Sequence, residues 1–162
     1  MKINWLYFIW LLSLIFIIPG CAKKGPLEIT SVVYSSQSGT ISPELQWYEE
    51  ITITPEKAVL TRNGMTADTQ VNTGTWEIPL ERGSVDRLFE QLGSIDCSKL
   101  IRIESEDVPE GGGTESYSII YSNGDFCELY FDPGTTITGS ESIVEPVREF
   151  IRGFNFPVGS AQ

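Results

Sequence analysis

Three rhythms of hydrophobic and polar residues run along this chain. From Trp5 to Ile18 every residue but Ser13 is apolar. From Ile29 onward, short stretches alternate with a period of two, and two later stretches repeat apolar residues at i, i+3, i+4 and i+7. Period two puts apolar side chains on one side of a strand, and the longer spacing puts them on one side of a helix.

The alternating stretches predict strands. Ile29–Tyr34 is rich in β-branched and aromatic residues, and the polar Ser35–Gly39 breaks it. Tyr48–Thr54 alternates, with Ile51 and Ile53 on one face, and Pro55 ends it. Asn63-Gly64 separates Ala58–Arg62 from Met65–Val71, and Asn123-Gly124 separates Tyr117–Ser122 from Asp125–Phe131. Asn-Gly supplies the two positive-φ positions of a type I′ turn, so each pair predicts a two-residue hairpin. In the second, that turn sets Tyr121 against Phe126, Ile119 against Glu128 and Tyr117 against Tyr130. Ile120, Cys127, Leu129 and Phe131 then share the opposite side, and Cys127 points inward.

Two helices are expected. The first runs from Ser84 as cap through Val85, Leu88, Phe89 and Leu92 to Gly93. The second runs from Ser142, with Glu145 completing a capping box, Pro146 near the first turn, a stripe of Ile143, Val147, Phe150, Ile151 and Phe154, and Gly153 at its end. Each has one apolar side that a sheet must cover. The fold class is therefore α+β: a mostly antiparallel sheet of about six to eight strands, two Asn-Gly hairpins included, with helices at about 84–93 and 142–153 on one face. Asn63, Thr73, Ser84 and Gly93 are echoed by Asn123, Thr138, Ser142 and Gly153, an order that two hairpin-helix units would produce and that chance also produces.

The uninterrupted apolar run belongs to another class. Its fourteen residues follow Lys2 and stop at Pro19-Gly20, short of the roughly 20 that a spanning helix needs. Such a run reads as the core of a signal peptide. Ile18-Pro19-Gly20-Cys21 resembles the lipobox of bacterial lipoproteins: an aliphatic residue, two compact residues and the cysteine that takes the lipid. The resemblance covers residues 1–21. It implies that residues 1–20 are removed, that Cys21 becomes the acylated first residue, and that several acyl chains hold the protein on the membrane. Ala22 after the cysteine implies the outer membrane, facing the periplasm, where the source has two membranes. Residues 21–26 then form a short tether carrying Lys23 and Lys24, 27–156 one domain, and 157–162 a flexible tail.

Charge narrows the partners. The processed chain holds ten basic and twenty-two acidic side chains, a net of −12. Beyond Lys24 the basic residues are scattered singly, so no basic face exists to displace counterions from nucleic acid, which is excluded as a partner. Once Cys21 is lipidated, Cys97 and Cys127 remain as an even pair, and export makes a disulfide the expected state over two buried thiols.

The chain contains no histidine. That removes Ser-His-Asp and Cys-His catalysis and every imidazole ligand or base. Gly111–Gly113 lacks a GK[ST] ending and is flanked by Glu110 and Glu115, so it is not a phosphate loop. No enzyme is expected. Glu104, Glu106, Asp107 and Glu110 are a candidate Ca²⁺ site, because Ca²⁺ takes six to eight oxygens, although they miss the EF-hand spacing and read more simply as a solvated loop without a cofactor. Trp47, Tyr48, Trp76, Tyr117, Tyr121 and Tyr130, with Phe126 beside them, are a candidate partner surface; core packing is the plainer alternative. The expected function is a non-catalytic envelope lipoprotein that meets a protein partner or supports an assembly, with a small-ligand or Ca²⁺ module as the alternative.

Overall fold

Apolar side chains recur at alternate positions through most of each long strand, and the computed structural model stacks them into shared rows. It describes residues 27–39, 41–64, 72–107 and 111–156. The expectations for residues 1–26 (Cys21 included), Met65–Val71, Glu110 and the tail 157–162 lie outside the described residues.

The described residues hold strands β1 (Ile29–Gln37), β2 (Trp47–Ile53), β3 (Lys57–Gly64) and β4 (Gly74–Pro79), helix α1 (Arg82–Gly93), strands β5 (Ile101–Ile103), β6 (Thr114–Tyr121), β7 (Phe126–Phe131) and β8 (Thr136–Thr138), and helix α2 (Glu141–Arg152). Six strands form an antiparallel sheet in the order β4-β3-β2-β1-β6-β7, and β5 pairs with β8 in a small second sheet. The α+β class is as the hydrophobic pattern predicts.

Register explains the core. Ile78, Ala58, Ile53, Val32, Ile119 and Cys127 lie in one cross-strand row, and Trp76, Leu60, Ile51, Tyr34, Tyr117 and Leu129 in the next. Those rows face Val85, Leu88 and Leu92 of α1 and Ile143 and Val147 of α2 in a single buried cluster. A register shift between Ile29 and Ser31 lets both Ile29 and Val32 point inward. The opposite face carries Ser35, Thr52, Thr61, Ser118 and Glu128, none of them buried, and needs no cover.

Both hairpin expectations need correction. Arg62 pairs with Gly74, so eleven residues lie between the last paired residues of the β3–β4 hairpin instead of two. Asn63 and Gly64 stay in β3, opposite Tyr48 and Trp47 of β2; the longer ladder with β2 outweighs the local turn preference. In the β6–β7 hairpin Gly124 has φ +85° and its N–H donates to the carbonyl of Tyr121 at 2.9 Å, while Tyr121 N–H donates to Asp125 at 3.0 Å. This is a three-residue loop in which Gly124 takes the left-handed position. The register moves by one, pairing Ile119 with Cys127 and Tyr117 with Leu129.

The helices keep their predicted stripes but start differently. Ser84 and Ser142 lie inside the first turns, each hydroxyl donating to a carbonyl three residues back, Glu81 and Gly139, at 2.8 Å. Neither serves as a side-chain cap, and the capping box with Glu145 does not form. No helix among the described residues is long and apolar enough to cross a membrane.

Candidate functional site

The one-residue change in register redistributes the aromatic residues. Tyr117 turns inward and is fully buried, and Tyr121 and Trp76 pack partly buried against the core. Phe126 and Tyr130 point to the open side and are 67% and 40% exposed. Tyr48 lies on the open face at the far end of β2, its hydroxyl donating to Glu50 at 2.5 Å, and Trp47 is half-buried beside it. The six aromatic residues therefore do not make one surface. A slip of one residue exchanges the faces of a strand, so the single extra loop residue divides them.

The acidic stretch does not gather either. Glu104 accepts from Arg102 at 3.1 Å, and Glu106 and Asp107 are exposed. Among the described residues no three acidic or thiol side chains converge on a point that could hold a metal ion. The neighbouring glycines have a packing reason: a Cβ on Gly39 would lie 1.4 Å from the carbonyl oxygen of Gly112, and one on Gly113 would lie 2.5 Å from that of Gln37. They let the β1–β2 loop and the chain before β6 touch backbone to backbone.

Cys97 and Cys127 form a disulfide with Cα atoms 5.9 Å apart. Cys127 enters the core from β7, and Cys97 sits on the short 3-10 turn Cys97–Lys99 after α1. The bridge ties the end of α1 to an edge strand and has no second thiol pair beside it.

A polar row that the sequence did not suggest crosses the helix-facing side of the sheet. Arg62, Glu49, Ser36 and Glu115 pair in succession across β3, β2, β1 and β6. Arg62 is joined to Glu49, and Arg148 of α2 to Glu115. The Tyr117 hydroxyl donates to Glu115 at 2.8 Å and accepts from Arg148 at 2.7 Å. Burial above all, then the bond to Glu115, holds the Tyr117 phenol above its ordinary pKa. Tyr34, 5.3 Å away between ring centres, is pushed up to about 12 by burial and then by the charge of Glu115. These groups satisfy one another, so the row fastens α2 to the sheet and offers no free base or nucleophile.

A groove between the helices has room for a partner. It is open to solvent, has a volume of about 770 Å³, and its lining includes the apolar Leu80, Leu88, Phe150 and Phe154. Glu141, Glu145 and Glu149, at i, i+4 and i+8 on α2, form one wall, facing Arg87 and Gln91 of α1. None of the three glutamates has an ion-pair partner among the described residues. Helical spacing of Leu88 and Phe150 was legible in the sequence, but the meeting of the two helices was not. The chain matches no family model, no curated protein and no solved structure.

Proposed function

We propose that this chain is a lipid-anchored envelope protein whose acidic domain docks a protein partner beside the membrane and performs no catalysis of its own. The observation that carries the reading is Ile18-Pro19-Gly20-Cys21 directly behind the apolar run Trp5–Ile18. Lipid on Cys21 holds the domain at the membrane surface, facing the periplasm from the outer membrane where two membranes exist. The absence of histidine and of any nucleotide or phosphate motif supports a non-catalytic role. The interhelical groove fits a partner segment with apolar residues for its apolar lining and Lys or Arg for the glutamate wall.

A small-ligand module is the second reading, favoured by the volume of that groove, which falls in the range of ligand clefts. One experiment separates the two. A photo-crosslinker at Gln91 in the full chain, expressed in its native host, is expected to yield a discrete protein adduct that disappears in the Glu145→Lys/Glu149→Lys variant. Absence of any adduct beyond that seen from Glu128, on the opposite face of the sheet, sinks the partner reading. No cofactor is invoked; heat on titration with millimolar Ca²⁺, lost in Glu106→Gln/Asp107→Asn, would restore the acidic loop as a site.

A further inference from the structure

Where the domain begins determines which of its ends meets the membrane. At Ile29 the first strand pairs with Tyr121, the last residue of β6, and the N–H of Ser122 donates to the carbonyl of Glu28 at 2.8 Å. The chain's first described residues are thus clamped to the β6–β7 turn and cannot swing away from it. Leu27 is 45% exposed there, and Phe126, the first residue of β7, is 67% exposed. Both line one shallow depression together with Ile95, Tyr121 and the Cys97–Cys127 bridge. Its two aspartates are engaged locally: Asp96 accepts from Ser98 and pairs with Lys99, and Asp125 accepts from Asn123. Glu28, Asp96 and Asp125 stay exposed around this depression, and Leu27 and Phe126 stand among them as its exposed apolar side chains.

We infer that this end of the sheet, with Leu27 and Phe126 at its tip, rests on the lipid surface as a second membrane contact. The inference builds on the proposed acylation of Cys21. Six residue steps separate Cys21 from Leu27, and even a fully extended chain of that length spans at most about 22 Å. The lipid therefore brings Leu27 and its neighbour Phe126 close to the head groups, where an exposed aromatic ring beside an aliphatic side chain gains by burial. The other end, where β1 finishes at Gln37 beside Trp47, Gly64 and Thr114, lies about 26 Å away along eight strand steps. It points from the membrane toward the partner's compartment.

Tryptophan emission reads the orientation directly, because Trp47 and Trp76, the tryptophans of the processed chain, lie on β2 and β4 away from this tip. The processed, lipidated protein and its F126W variant are reconstituted into phosphatidylcholine vesicles with brominated acyl chains. The substituted position is exposed, so the fold should be kept. The expected result is a blue-shifted, strongly quenched extra emission from F126W and little quenching of the parent protein. Vesicle-bound F126W whose emission matches that of its unlipidated Cys21→Ser form overturns the inference and leaves the lipid anchor standing. Failure of the processed protein to float with vesicles removes the anchor and the inference with it.

Discussion

Tyr117 has a fully buried ring whose hydroxyl still meets two charged side chains, Glu115 and Arg148. Removing that hydroxyl breaks two hydrogen bonds but leaves Arg148 and Glu115 joined to each other. Tyr117→Phe is therefore expected to cost about 1–2 kcal/mol in urea denaturation. Alkaline pH acts on the same residues. The folded state holds the Tyr34 phenol up to about 12 and the Tyr117 phenol above its ordinary value, whereas the unfolded chain releases these protons near about 10. The folded protein then binds more protons than the unfolded one, so this contribution is fully present below about pH 10 and is lost as pH rises toward 12. Melting temperature should fall across that window. It should fall less steeply in Tyr34→Phe/Tyr117→Phe, and equal slopes for the two proteins would show that other groups govern alkaline unfolding.

Among the elements, the disulfide and the β6–β7 turn have consequences that can be measured separately. Cys97 and Cys127 are 30 residues apart, and closing a loop of that length stabilises by about 3–4 kcal/mol through the unfolded chain. Reductant should lower the melting temperature without unfolding the domain at 25 °C, because the core of both helices and six strands remains. An unchanged melting temperature after full reduction, verified by mass, would contradict this. Gly124 takes φ +85° in the three-residue turn, so Gly124→Ala should cost about 1 kcal/mol from left-handed strain; no Cβ contact would add to it, since nothing lies within 4 Å. The helix stripes and the inward Cys127 were legible because each depends on spacing within a few residues of one chain segment. The register of β6 against β7 was not, since one additional loop residue turns Tyr117 and Ile119, in place of Ile120, toward the core beside Cys127 and Leu129.

Across the whole molecule, charge and the proposed lipid anchor act in opposite directions. A processed chain of net −12 is repelled by anionic membrane surfaces, and two exposed apolar side chains, Leu27 and Phe126, are too small a contact to hold it alone. Membrane association should consequently depend on acylation of Cys21. The wild-type protein is expected to stay in the membrane fraction through a high-salt wash, and Cys21→Ser to be soluble at low and high salt alike. Retention of the variant that salt removes would point to an ionic contact, and retention that salt leaves intact would refute the lipid anchor. The interhelical groove belongs to this scale too: Leu88 and Phe150 are 62 positions apart in sequence, and only docking of α1 and α2 on one sheet face makes them neighbours.

The order of apolar and polar residues by itself determined the α+β class, both helical stripes and the inward direction of Cys127, and the absence of histidine by itself closed imidazole chemistry. These are properties of residue identity or of neighbours two to four positions apart, which the backbone's own geometry converts into faces. Tertiary structure alone decided that β3 prolongs its ladder with β2 through Asn63-Gly64, that Gly39 must lie against Gly112, and that Arg62, Glu49, Ser36 and Glu115 share a row. Each of these rests on pairing between distant segments, where the gain from a continuous ladder and a filled core exceeds the preference of a local turn.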